Sequence, residues 1–161
     1  MVNDIVGTVH LITVNARFQR DAVWSVGILS TLELLLKNYP EEGMYERISS
    51  ALFKSCNLDE AAIRADAEAL LAEVDGKTKE EIEEILKNGG DSILGTVANN
   101  VKADEFWMYS KFFGVGLLKI MEKTGVEMDK DEVYPVMENW MSTQLGRSHL
   151  TACVSSFILS S

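Results

Sequence analysis

The stretch HLITVNARFQRDAVWSVGILSTLELLLKNYP, residues 10–40, decides the fold. From Val23 through Trp24, Val26, Ile28, Leu29 and Leu32 to Leu36 it leaves almost no polar face, and a helix apolar nearly all round belongs at a protein's centre. Asp21 is placed to cap this helix, which runs to about Asn38, and Pro40 prevents its continuation. Gly27 lies inside it, where glycine costs about 1 kcal/mol in helix propensity. The expected compensation is a neighbouring backbone too close for a Cβ. A second segment has the same character: the helix predicted from Glu105 to Lys123 contains YSKFFGVGLLKIMEK (109–123), with glycines at 114 and 116, and is closed by Gly125.

Outward from this pair the apolar spacing is helical throughout. Val2, Ile5, Val6, Val9 and Ile12 follow one helical face. VHLITV (9–14) has enough β-branched residues for a strand, but the helical spacing begins before it. NARFQR reads as a loop. Glu41 to about Cys56 is an amphipathic helix, and Asn57 is the expected cap of the next. There Ile63, Ala67, Leu70, Leu71 and Val74 share a face, and Gly76 is the natural residue just past the end. Thr78 and Glu81 form a capping box that opens KEEIEEILK before Gly89-Gly90. Ser92 to Val101 is a further short helix. Asp129 caps a helix reaching about Gln144. Pro135 removes one of its donors and crowds the preceding turn, so regular helix is expected from Tyr134. Ser148 to the end is expected as a last helix. Roughly eight helices imply an all-α, compact bundle, a single domain over residues 1–161.

Composition limits the function classes. A chain of 161 residues with 47% apolar content builds a core without a metal or disulfide staple. Two cysteines, Cys56 and Cys153, are too few for a disulfide framework and fit a reducing compartment, with one bridge between them left open. The balance of 15 basic against 25 acidic residues, net −10, argues against nucleic acid and against unassisted docking on anionic lipid. The excess is local: ten acids against four bases between Asp59 and Lys87 contribute −6 of it. The longest apolar run, Ala22 to Leu36, contains Glu33 and falls short of the ~20 residues a bilayer needs. The helical pattern starts almost at Met1, so any targeting segment is expected to have been removed or never present.

No chemical motif matches the specificity of the helix pair. His149 and Cys153 stand i, i+4 on the predicted last helix, the spacing of a base and a nucleophile, but no orienting carboxylate or oxyanion hole accompanies them. The plainer reading is a small buried thiol and a surface imidazole. His10 is expected to be a core or boundary residue. No HExxH, CxxC or calcium-loop pattern is present, and DGKTKEEIEE is merely acidic. Glu80, Glu81, Glu83 and Glu84 read as a solvated face opposite Ile82, Ile85 and Leu86. The glycines of FGVGL follow no strand and lack the third glycine of a dinucleotide loop, so helix packing explains them better. Trp24, Trp107 and Trp140 each fall in a predicted helix and read as core.

Three segments together resemble the Thylakoid Formation family, also called the photosystem II Psb-twenty-nine family. The first is residues 10–40, through His10, Leu11, Phe18, Asp21, Trp24, Gly27, Leu32, Tyr39 and Pro40. The second is IRADAEALLAEV, through Arg64, Asp66, Ala67 and Leu70. The third is YSKFFGVGLLKIME, through Tyr109, Ser110, Phe112, Phe113, Gly116, Leu117, Leu118 and Glu122. They come in family order and cover about residues 10–122. The chain departs from the family pattern in a shorter stretch before His10, in Ala22 for proline and Trp24 for tyrosine, and in the end SHLTACVSSFILSS. That end, within an atypical C-terminus of 145–161, replaces a long charged helix.

The resemblance implies a non-catalytic, peripheral thylakoid protein of chloroplasts or cyanobacteria, without cofactor or metal. It further implies action in thylakoid membrane organisation and photosystem II biogenesis and repair, with thylakoid FtsH proteases as partner. The alternatives from the residues are a small helical enzyme using Cys153 and His149, and a scaffold that self-associates through a glycine-lined face. The acidic stretch from Asp59 to Glu84 is a candidate surface for basic partners, although solvation alone explains it.

Overall fold

A computed structural model describes residues 2–14 and 18–149. Eight α-helices appear among them: α1 Val2–Thr13, α2 Ala22–Leu36, α3 Met44–Ser55, α4 Glu60–Val74, α5 Lys79–Asn88, α6 Ile93–Ala103, α7 Lys111–Lys123 and α8 Lys130–Glu138. A π-helical turn, Asn139–Gln144, extends α8, and no strand occurs in the described residues. The all-helical expectation holds. The last helix predicted from Ser148 lies almost wholly outside the described residues.

The helices start where side chains can accept from free backbone N–H groups. Asp21, Asp59, Thr78, Ser92, Ser110 and Asp129 each do so, a contribution of about 1 kcal/mol per cap. The predicted capping box forms in full, with Glu81 accepting from the Thr78 N–H at 2.7 Å. Gly76 follows α4 with φ +77, the left-handed conformation expected of it.

α2 packs chiefly on α7 and α4. At the α2–α7 crossing a Cβ on Gly27 would fall within 3.0 Å of the Phe112 carbonyl, and one on Gly116 within 3.0 Å of the Val23 carbonyl. Each helix thus uses a glycine to admit the other's backbone. Around this crossing lie two groups of buried side chains. One joins Val23, Val26, Leu70, Leu94, Leu117, Ile120 and Trp140; the other joins Val9, Trp24, Ile28, Leu52, Phe53, Ile63 and Phe112. α2 supplies both from opposite sides, which is why its first half has no polar face.

Long-range polar contacts finish the helix ends. Glu73 on α4 accepts from the N–H groups of Ile93 (2.7 Å) and Leu94 (3.0 Å), so its charge sits at the positive end of α6. Lys102 donates to the Leu86 and Lys87 carbonyls at the C-terminus of α5, and Arg147 to those of Val101 and Asp104 at the end of α6.

Several boundaries differ from expectation. α7 begins at Lys111, not Glu105, because Ser110 accepts from the Phe113 N–H while Asp104 folds the preceding residues by accepting from the Phe106 N–H at 3.0 Å. Trp107 is therefore in a loop. Asn57 does not cap α4; it turns the chain at φ +55, a conformation asparagine tolerates, and Asp59 caps instead. α3 starts at Met44 after Gly43 (φ +77), so Glu41 lies in the preceding turn. Regular helix runs through Pro135 from Lys130. Pro135 and Asp131 both lie on the exposed side, so the carbonyl left without its helical donor is not shut away from solvent.

Candidate functional site

The residues singled out for chemistry do not assemble. His149 Nδ1 lies 2.8 Å from the Ser142 hydroxyl, and Cys153 is outside the described residues. Cys56 is buried, and burial pushes its thiol above the usual range, away from reactivity. His10 is exposed and not in the core, since it lies one position round the helix from buried Val9. Glu80, Glu81 and Glu84 are exposed as expected; half-buried Glu83 accepts from the Trp140 indole N–H at 3.3 Å. No group of three or more potential metal-ligating side chains converges among the described residues. Nor is any described helix long and apolar enough to cross a membrane.

The structure instead brings together a cleft that the sequence reading did not foresee. It holds about 220 Å³ between the end of α1, the start of α2, the end of α6 and the α6–α7 loop. Its walls are aromatic. Phe18 meets Trp24 edge-on at 5.1 Å, and Trp107 meets Phe113 edge-on at 5.0 Å with Tyr109 beside it at 6.5 Å. Two apolar side chains at the rim, Leu11 (73% exposed) and Met108 (59%), reach into solvent.

Charged groups line the same space. Asp21 caps α2 by accepting from the Trp24 N–H at 2.8 Å. Burial nevertheless pushes its carboxyl up to about 6, against the lowering effect of the Trp24 and Val23 N–H groups. Asp104, at the end of α6, is the second carboxylate. Arg20 also lines the cleft and is drawn toward Asp66 at 3.2 Å. Arg147 lies over the outer Trp107 ring, 5.5 Å from its centroid. Sequence alone marks Asp21 as a cap and a residue of the family pattern, not as part of a cleft, and puts Trp107 and Tyr109 in a helix. The signal available was the cap-forming Ser110, which would have freed the aromatic residues before it as a loop.

A second, more open groove of about 350 Å³ separates α2, α7 and the start of α8. Leu34, Leu118, Met128 and Tyr134 line it, with Leu34 and Met128 each 41% exposed. Of the predicted glycine positions, Gly116 belongs to helix packing, where it meets Val23, whereas a Cβ at Gly114 would run into the hydroxyl of Tyr109 in the preceding loop.

The family model described as Thylakoid formation protein matches residues 1–154. Among curated proteins, the chain is similar to Protein Thf1 of Crocosphaera subtropica, 30% identical over 136 residues, covering 81% of this chain and 54% of that protein. It is also similar to Protein Thf1 of a Cyanothece species, 29% identical over 139 residues, 82% of this chain and 57% of that protein. The chain thus spans little more than half the length of these curated relatives. A solved structure of Psb29 superposes with a TM-score of 0.81 at 18% identity, covering 98% of this chain and 80% of that one, a likeness of fold.

Proposed function

This chain belongs to the thylakoid formation protein family, and from that premise we propose that it is a non-catalytic, thylakoid-associated protein that binds and supports FtsH-type proteases in photosystem II biogenesis and repair. The observation that carries the reading is the family match across residues 1–154, which includes all three segments that the sequence marked. One feature agrees with a binding role: two apolar-walled depressions open on the surface. The relatives named above are cyanobacterial, and a place at the thylakoid surface of a cyanobacterium or a chloroplast belongs to this same proposal. So does a single domain over residues 1–161, supported by α2 feeding both groups of buried side chains.

The test is a pull-down from thylakoid extract in detergent that preserves the protease complex. Enrichment of FtsH subunits over an unrelated acidic helical protein is expected; no enrichment refutes the partner. The same experiment with residues 150–161 deleted asks whether the atypical end takes part. The deletion should not start at 145, because Leu145 is buried and Arg147 holds the end of α6.

A further inference from the structure

The aromatic cleft has a chemistry of its own, independent of the protease reading. Two edge-to-face ring pairs make corners, Phe18 with Trp24 and Trp107 with Phe113, at interplanar angles of 65° and 74°. Trp24 and Phe113 are the buried members, while half-buried Phe18 and Trp107 give the cleft ring surface, and an aromatic face attracts a cation. Asp21 and Asp104 line the same space. The C-terminal end of α6 opens there too, and a helix C-terminus carries partial negative charge.

One cation already uses this end of the molecule. Arg147 donates to the Val101 and Asp104 carbonyls and lies over the Trp107 ring. Arg20, the positive side chain on the lining, is held by Asp66. The start of α2 opposes a cation with its positive end, but the full charge of Asp21 outweighs that partial charge. Leu11 and Met108 at the mouth add apolar surface where an alkyl stem would enter.

We propose that this cleft binds a primary alkylammonium group, the ammonium between Asp21 and Asp104 and its alkyl stem against the ring corners and the Leu11–Met108 rim. Asp21 is a costly choice for a cap alone. Asparagine caps a helix as well, and the Asp21 carboxyl, pushed up to about 6, resists ionisation where it sits. A perturbed carboxyl in a cleft is where binding sites are found. The same chemistry is offered by a free amine or by a lysine side chain of a partner.

The test is titration of the full chain, followed by the indole signals of Trp24 and Trp107 in NMR, with butylammonium chloride and with the neutral isostere 1-butanol. Butylammonium should bind at least about tenfold tighter, in the millimolar range or better. Asp21→Asn keeps the cap and the side-chain volume, so it should fold and lose that preference. Equal binding of the two probes, no saturable shift with butylammonium up to about 10 mM, or an unchanged preference in Asp21→Asn each overturns the proposal. A parallel titration with a short lysine-containing peptide distinguishes the sources. Tighter binding of the peptide assigns the site to a partner's lysine, and tighter binding of butylammonium to a free amine.

Discussion

Replacing Gly27 by alanine tests the central crossing, because two known effects oppose each other there. In a helix interior alanine is favoured over glycine by about 1 kcal/mol. At Gly27 the added methyl would enter the Phe112 carbonyl and approach the Gly116 N–H. Both are backbone atoms of a buried helix and cannot rotate away. Overpacking of this kind costs about 1–3 kcal/mol, occasionally more, and here the whole helix must move to relieve it. With the cost at about 2–3 kcal/mol, the upper part of that range, the expected net is a loss of about 1–2 kcal/mol, or roughly 2–8 °C in midpoint at about 2–4 °C per kcal/mol for a chain of this size.

Gly7 is the control. It lies in α1, exposed, and a methyl added there would meet nothing within 4 Å. Gly7→Ala should stabilise by up to about 1 kcal/mol. Gly116→Ala should resemble Gly27→Ala, since its methyl would meet the Val23 carbonyl. The double variant should cost less than the two single losses added, because one forced separation of α2 from α7 accommodates both methyls. Urea and thermal unfolding of the four variants settle the matter. If Gly27→Ala is stabilised as Gly7→Ala is, the close approach does not govern the crossing.

Two further outcomes follow from polar groups in the fold. Asp21 has a folded-state pKa of about 6 against an ordinary 3.8, so the native state holds this proton more tightly than the unfolded one. Its stabilising effect is fully present below pH 3.8 and is lost as pH rises through about 6. The loss is at most about 3 kcal/mol, less where water entering the cleft screens the charge. Asp21→Asn should therefore flatten the fall in stability between pH 4 and 6 and be the more stable protein at pH 7, as read by urea midpoints across that range; a steeper fall refutes the assignment. Glu73→Gln should lower stability by about 1 kcal/mol and speed amide hydrogen exchange at Ile93 and Leu94, since it removes the charge that accepts from both N–H groups; unchanged exchange there contradicts the role.

What the sequence made legible was decided by local rules. The Thr78–Glu81 box and Gly76 were readable because each meets a requirement within a turn of its own helix, and the crossing glycines because glycine inside an apolar helix is itself a sign of a close neighbour. The Glu105–Ser110 loop was not, because its apolar residues continue a helical spacing and only the Ser110 cap breaks it. Pro135 misled in the other direction: a rule about missing donors was applied without knowing that its side of α8 faces water. The cleft was hidden for a different reason. Its walls come from two ring pairs, Phe18 with Trp24 and Trp107 with Phe113, each local in the chain, and bringing one pair to the other requires the fold first. The family resemblance passes through that same cleft: Leu11, Phe18, Asp21, Trp24, Tyr109 and Phe113 carry the one and line the other.

The crossing of α2 and α7 also governs how the chain reaches its native state. Gly27 and Gly116 meet across 89 positions of sequence (116 − 27), so the contact at the centre closes a loop holding α3 to α6. Closing a loop of that length costs entropy before any buried surface repays it. Helices α3 to α6 can form early from their own caps, but neither group of buried side chains is complete until α7 arrives. A fold of short helices thus depends on a contact between distant parts of the chain, and on a ribosome that contact cannot form until α7 has emerged.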